Sequence, residues 1–393
     1  YAWALGVLPA LGGLLEPLAT AAETEAKMGQ RAGVTLLALL LAKRLYIYAL
    51  ALTGVELASR RSVGAPESLG ARFKAINAEL GISPPPKDEE AAAEADAAYE
   101  RLDNIAPATQ AAAVPLFLAL GLGLSLAFLF LPSFLSQVSA PAPATDAARL
   151  TPIVSSALTL AVFSRAELLY VVRAAAPAAG ESAVSIAASI GSALLTAACF
   201  LGPREWWPVR NVGNLLIGVT FARAVQLPRL PAAAVALAGI ALYDAAGTYL
   251  PLLQGAGSGS SASVMETVAM SRLQVASAPG AGAPPWVPGL LSVVLRGQVA
   301  DALGLGDFVF PAILAGWCLR SDTYNLPGSG GLYSAAILGY VLGLVALEVQ
   351  GASISAALVA IGPAMLLTVF TRVVVNGGGA WAASTQDGEQ NSK

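Results

Sequence analysis

The chain has 393 residues, of which 22 are Lys or Arg, 25 are Asp or Glu and none is His, so its formal net charge is −3. Hydrophobic residues make up 56% of it and charged residues 12%, whereas a soluble globular protein carries about 25% charged residues. The composition therefore predicts a polytopic all-α membrane protein, and the weak charge argues against a nucleic-acid partner. Without His, a His-assisted serine or cysteine mechanism and the HExxH zinc motif are excluded. We expect no metal and no cofactor.

Apolar stretches of about 20 residues, the length needed to cross a bilayer, recur along the chain. A weaker stretch at residues 1–21 contains Pro9, Glu16 and Pro17, so it fits a surface-lying or re-entrant helix as well as it fits a tenth span. Residues 1–31 are interpreted as an amphipathic or re-entrant segment. We predict about nine transmembrane helices, at residues 32–55, 110–135, 151–172, 182–202, 208–227, 231–253, 300–320, 331–349 and 354–375.

Three stretches are too polar for the membrane. Residues 56–109 are predicted to form a solvated helical linker inside an N-terminal group of membrane helices, residues 32–230. A second group of membrane helices covers residues 231–375 and is interrupted by a Gly/Ser-rich loop at 254–285. The tail, residues 376–393, is predicted to be disordered.

Several charged residues lie within or beside the predicted spans. Lys43 and Arg44 would have to snorkel or face protein. Arg165 and Glu167 are two residues apart and do not face each other on a helix, so each is expected to pair with another helix or to reach an interface. Two further carboxylates near span ends are interpreted as solvated, Asp301 and Glu348.

An apolar, β-branched run stands before the seventh predicted span. Residues 287–295 are too few to cross a bilayer, and their composition predicts a short strand or an interfacial segment. The residues of this run that would form the strand are Leu290, Leu291, Val293, Val294 and Leu295.

Two carboxylates lie inside apolar stretches on neighbouring predicted spans. They belong to the dipeptide Tyr243-Asp244 and to Gly304-Leu305-Gly306-Asp307. A single charge at the centre of a bilayer costs roughly 2.5–3.5 kcal/mol on insertion scales, so two such residues point to a function. Two carboxylates held close together at low dielectric share one proton, and such a pair can act as general acid and general base on a peptide bond.

The order of motifs resembles the signal peptide peptidase and presenilin family of intramembrane aspartyl proteases. That family has Tyr-Asp in one span, Gly-x-Gly-Asp in the next and Pro-Ala-Leu in the last. This chain has Tyr243-Asp244, Gly304-Leu305-Gly306-Asp307 and Pro363-Ala364-Met365 in the same order. Residues 206–218 and 308–313 resemble the signal-peptide-peptidase branch in particular. The departures are Met365 for the usual Leu and Gly362 for the usual Gln.

The resemblance implies a presenilin-like fold and an endopeptidase that cleaves transmembrane helices, such as signal-peptide remnants or single-span type II proteins. It implies that Asp244 and Asp307 are the catalytic pair, that Tyr243 helps to position them, and that Pro363 and its neighbours pack beside them. The strand at residues 287–295 would offer an edge to the opened substrate helix.

Two other functions remain open at this stage. An inactive protease-like subunit of a larger membrane complex would carry the same motifs, and a proton-coupled transporter or leak channel could use the same aspartates. The expected partners are substrate helices and the lipid bilayer, with a homo-oligomer or membrane complex as a further expectation. The resemblance implies the endoplasmic reticulum or another endomembrane, with a plastid or other organelle membrane as the alternative.

Overall fold

The structure is a computed structural model that describes residues 7–27, 32–63, 74, 97, 142–227, 229–254, 289–295, 298–349 and 357–383. The predicted span at 110–135 lies outside these residues. So do most of the linker, nearly all of the loop at 254–285 and most of the tail.

The N-terminal segment consists of two short helices packed on a long one. Helices α1 (Leu8–Gly13) and α2 (Leu15–Lys27) precede α3 (Ala32–Ser62). Because α2 has 13 residues, it is too short to cross a bilayer, which needs about 20. It buries an apolar face at i, i+4 and i+7 against the helix bundle, formed by Leu15, Ala19 and Ala22.

Helix α3 continues past the predicted end of its span at residue 55. Residues 56–62, expected in the polar linker, belong to the helix. Leu57, Ala58 and Ser59 are buried there, so tertiary packing extends the helix although the sequence has turned polar.

The described part of the first group contains three further helices, α4 (Ala142–Ala175), α5 (Glu181–Leu201) and α6 (Trp207–Ala224). On α4, Arg165 donates to Ser185 and Ser189 of α5, each over 3.0 Å. Glu167 lies 3.1 Å from Arg61 of α3 and 3.8 Å from Arg223 of α6. The expectation that each charged residue pairs with another helix is confirmed.

The second group contains α7 (Leu230–Gln254), strands β1 (Leu290–Leu295) and β2 (Gln298–Gly304), and helices α8 (Gly306–Thr323), α9 (Leu332–Val349) and α10 (Ala357–Val375). Among the described residues, four stretches are long and apolar enough to cross a membrane: Thr35–Ser62, Glu181–Leu201, Leu332–Val349 and Ala357–Val375. The chain is therefore an integral membrane protein of mainly helical structure, and the number of nine spans stays a prediction.

Strands β1 and β2 form an antiparallel hairpin in which Leu291 faces Leu303, with an irregularity between Val293 and Val294. The predicted strand before α8 is confirmed. The span predicted at residues 300–320 was wrong at its start, because residues 300–304 belong to β2, which pairs with β1, and the helix begins at Gly306. This pairing is a long-range contact that an apolar run does not reveal.

The positive charges of α3 face this hairpin. Lys43 Nζ donates to the Ala300 carbonyl over 2.8 Å, and Arg44 lies 2.8 Å from Asp301 Oδ1. Both basic residues thus face protein. This was one of the two arrangements expected for them, the other being that they snorkel to the interface. The interpretation of Asp301 as solvated was wrong, since it is buried against α3. Glu348 is half exposed but accepts a hydrogen bond from Tyr48 over 2.9 Å.

Candidate functional site

The two aspartates predicted to be catalytic lie on helices that pack against each other. Asp244 is in the second half of α7, and Asp307 is in the first turn of α8. Each is buried, with 7% and 8% of its surface exposed, and the charge of Asp244 acts on Asp307. The structure brings together two carboxylates that stand 63 positions apart in the sequence.

Asp307 is held by the end of the hairpin. The N–H of Gly304, the last residue of β2, donates to Asp307 Oδ2 over 2.9 Å. A Cβ atom at position 304 would lie 3.0 Å from that oxygen, so the glycine lets the carboxylate approach the strand. Leu305 and Gly306 make the turn from strand to helix, and the Leu305 N–H donates to the Gly289 carbonyl over 2.9 Å.

Asp244 is held by the start of the last helix. The N–H of Leu358 donates to Asp244 Oδ2 over 3.2 Å. The first N–H groups of a helix have no partner within it, and negative charge is stabilised at that end. Asp244 therefore caps α10 from another helix.

The third predicted motif lies further along α10. Pro363 is exposed, Ala364 is half-buried and Met365 is buried. Gly362 faces α7 through Ala241, where an added Cβ would lie 2.9 Å from the Ala241 Cβ. The backbone donor to Asp244, the N–H of Leu358, thus comes from the turn before this motif. The Pro-Ala pattern did not indicate that position.

Two tyrosines stand near the carboxylates. Tyr243 is half-buried beside Asp244 on α7. Tyr340 of α9 is fully buried, and its hydroxyl has no hydrogen-bond partner among the described residues. Tyr340 lies close enough to Asp307 for an electrostatic interaction between the two side chains. Sequence analysis missed Tyr340, because nothing in an apolar helix distinguishes this tyrosine from one that only packs.

Phe308 anchors the first turn of α8 next to Asp307. Its ring is fully buried and lies against Gly54 of α3 and Gly218 of α6. An added Cβ at Gly54 would come within 2.7 Å of the ring, and one at Gly218 would overlap it. Two glycines on different helices therefore make the space that fixes the position of the neighbouring carboxylate.

The residues predicted as a substrate edge all belong to β1. Three are buried and two are half-buried: Leu291, Val293 and Leu295, then Leu290 and Val294. One side of β1 pairs with β2, and the other side meets the amide groups of Asn211 and Asn214 on α6. Within the described part of the chain, no group of three or more Cys, Asp or Glu residues could hold a metal ion.

The sequence model of the family described as signal peptide peptidase matches residues 103–380. This is more than half of the chain, and the chain belongs to that family. No curated protein matches the chain. A solved structure described as a presenilin family intramembrane aspartate protease is similar to it, at 15% sequence identity and a TM-score of 0.44. That match covers 82% of this chain and 96% of the other.

Proposed function

We propose that this protein is an intramembrane aspartyl endopeptidase in which Asp244 and Asp307 are the catalytic pair. The observation that carries the proposal is the pair of buried carboxylates on the packed helices α7 and α8, each accepting a backbone N–H. Family membership supports this activity over the inactive-subunit and transporter alternatives.

The chemistry follows from the proximity of the two acids. Because two carboxylates close together at low dielectric do not both ionise, they share one proton. The ionised one accepts a proton from water, which attacks the carbonyl carbon of the substrate peptide bond. The protonated one donates to the carbonyl oxygen, and a proton then passes to the leaving nitrogen as the C–N bond breaks. No covalent intermediate is needed.

The backbone donors would orient the pair for this chemistry. The N–H of Gly304 uses Oδ2 of Asp307, and the N–H of Leu358 uses Oδ2 of Asp244. Each bond fixes the plane of one carboxylate, and Oδ1 of each would then meet water and substrate. A group that is oriented before the reaction need not be reordered during it.

The substrate would be a transmembrane helix that opens locally, because a helix hides its peptide bonds within its own hydrogen bonds. An opened segment needs new partners for its backbone in the membrane, and pairing with a strand edge supplies them. The edge that we propose is the outer edge of β2, which ends at Gly304 beside Asp307. This replaces the edge of β1 expected from the sequence.

Signal-peptide remnants and single-span type II proteins are the substrates that family membership suggests, in the endoplasmic reticulum or another endomembrane. A plastid or other organelle membrane is the alternative. Imaging of the full-length tagged protein against organelle markers separates these compartments.

The test is cleavage of a single-span helical reporter by the purified protein in bilayers, beside Asp244→Asn and Asp307→Asn. Each variant keeps the shape of the side chain and removes its acid–base function. We expect the parent to cleave and both variants to lose cleavage at least about a thousandfold, since each acid takes part in bond breaking. Equal cleavage by the parent and either variant would refute the proposal.

A further inference from the structure

Two asparagines of α6 bind the backbone of β1. Asn211 and Asn214 are three residues apart, which places them on one face of the helix, and both are buried, at 0% and 2% exposed. A buried amide side chain is costly unless its donors and acceptor are paired. Both buried amides are therefore expected to have hydrogen-bond partners.

Asn211 binds both backbone groups of one residue. Its Nδ2 donates to the Ser292 carbonyl over 2.7 Å, and the Ser292 N–H donates to its Oδ1 over 2.9 Å. A neighbouring antiparallel strand makes the same pair of bonds to a residue that faces it. The side-chain amide thus takes the place of a strand residue.

Asn214 extends the same arrangement by one step along β1. Its Nδ2 donates to the Leu290 carbonyl over 2.7 Å, and the Gly289 N–H donates to its Oδ1 over 3.3 Å. Together the two asparagines occupy the edge of β1 from residue 289 to residue 292. No further strand can pair there while these bonds persist.

The outer edge of β2 is occupied differently. The backbone N–H and C=O groups of residues 290 and 292 in β1 point away from β2. The residues opposite them in the register are Gly304 and Ala302, so the backbone groups of these two residues point away from β1. The Gly304 N–H is bound to Asp307, the Ala302 N–H to Asp301 Oδ1, and the Ala300 carbonyl to Lys43. The contacts of Ala302 and Ala300 are single bonds to charged side chains, which a peptide strand could replace, while the Gly304 N–H stays with Asp307.

We propose that Asn211 and Asn214 are positioning residues that close the edge of β1, so that a substrate strand adds only to β2, next to Asp307. This inference rests on the proposed function, and it assigns to α6 the choice between the two edges of the hairpin. A strand added to β1 would lie on the side of the sheet away from the catalytic carboxylates, so its peptide bonds would not reach them.

The experiment compares disulfide capture at two facing positions of the hairpin, Val294 of β1 and Val299 of β2. Each is changed to Cys separately in full-length protein carrying Asp244→Asn, so that a reporter helix with one Cys is bound and not cleaved. The two native cysteines, Cys199 and Cys318, are buried. Capture is then repeated with Asn211→Leu and Asn214→Leu together, which keep the branched shape of the amides and remove their hydrogen bonds.

We expect capture almost only at Val299→Cys with both asparagines present. With both replaced, we expect the ratio of capture at Val294→Cys to capture at Val299→Cys to rise by at least about tenfold, since about four hydrogen bonds no longer hold the edge. An unchanged ratio would overturn the proposal, and so would capture at neither position or a preference for Val294→Cys in the parent.

Two measurements separate this proposal from the proposed function and from simple loss of folding. Amide hydrogen exchange at residues 289–292 should become faster in the double Leu variant and stay unchanged in Thr220→Val, which removes a buried hydrogen bond elsewhere on α6. Unchanged exchange in the double variant would overturn the edge closure itself. Capture needs binding only, so a chain that binds at β2 but never cleaves would refute the proposed activity and leave the edge assignment supported.

Discussion

The N–H of Leu358 donates a hydrogen bond to Asp244 Oδ2 over 3.2 Å and joins two residues that are 114 positions apart in the chain. The donor lies in the first turn of α10, where the N–H groups have no partner inside the helix. The acceptor lies in α7, a helix that packs against α8, which carries Asp307. The last helix therefore orients one carboxylate, and the end of the hairpin orients the other.

Leu358→Pro should lower cleavage more than Leu358→Ala. Both variants remove the same buried side chain, but only proline removes the N–H that Asp244 accepts, and the first turn of a helix tolerates proline. A hydrogen bond to a charged group is worth about 1.5–3 kcal/mol, so kcat/KM of the Pro variant should be about tenfold below that of the Ala variant. Reporter cleavage by both variants under one condition measures this ratio, and equal values would contradict the role of the N–H.

Gly218→Ala should displace the ring of Phe308 and with it the first turn of α8. An added Cβ overlaps the ring, and overpacking of a core costs about 1–3 kcal/mol, so we expect a lower midpoint of thermal unfolding and slower cleavage. The matched control is Gly239→Ala on α7, where an added Cβ meets nothing within 4 Å. That change should be neutral or stabilising by about 0.5–1 kcal/mol. Similar losses in both variants would show that the space around Phe308 is not what matters.

Arg44→Met should destabilise the protein, and more at neutral than at acid pH. Burial raises the pKa of Asp301 in β2, while Arg44 and Lys43 oppose the rise. A carboxyl whose folded pKa exceeds its unfolded pKa binds its proton more tightly when folded, so stability falls as the pH rises above about 4. Without Arg44 this fall should be larger, by about 2 kcal/mol near pH 7.

The control for this pair is Asp301→Asn, alone and combined with Arg44→Met. Once the carboxylate is gone, Arg44→Met should lose only the half-exposed contact of Arg44 with Glu348 at 3.6 Å, so it should cost little and most of its pH dependence should disappear. Unfolding midpoints at pH 4.5 and pH 7 for the four proteins complete a double-mutant cycle. A pH dependence that survives in the double variant would contradict the role of Asp301.

Tyr340→Phe should lower cleavage without lowering stability. The hydroxyl has no hydrogen-bond partner among the described residues, so its removal should leave the unfolding midpoint unchanged or raised. Because Tyr340 lies close enough to Asp307 for an electrostatic interaction, its hydroxyl can donate to that carboxylate during the reaction. Loss of one such hydrogen bond, worth about 1 kcal/mol, should lower kcat by about fivefold.

Tyr333→Phe is the matched control for that change. Tyr333 lies on the same helix two turns earlier, close to Glu56 and Arg60 instead of the catalytic pair. The Tyr333→Phe variant should cleave the reporter at the parental rate. The rates are measured at saturating reporter concentration. Equal rates for the parent, Tyr340→Phe and Tyr333→Phe would show that the Tyr340 hydroxyl takes no part in catalysis.

Some features of the fold and of the site were predictable because their causes are local. The small share of charged residues indicates a membrane protein, since every charge in hydrocarbon carries a cost that can be read position by position. The same cost singles out Asp244 and Asp307 and predicts that Lys43 and Arg44 face protein or an interface. Family membership followed from motifs of a few residues in order.

Other features were decided only by the tertiary structure. Residues 300–304 are apolar enough for the start of a span, and they become a strand because β1 lies beside them. Asp301 looked solvated, and it is buried because Arg44 meets it across 257 positions of sequence. Hydrogen bonds between distant segments leave no periodic pattern in either segment, so they cannot be predicted from an apolar run.

The sequence by itself therefore determined that the chain folds in a membrane, and it identified Asp244 and Asp307 and their order, because hydropathy and charge belong to single residues. The tertiary structure alone decided which N–H groups orient these acids and which edge of the hairpin is occupied. Those choices depend on the backbone of β2, α6 and α10 meeting at one place, and a backbone donor has the same chemistry whichever side chain stands at its position.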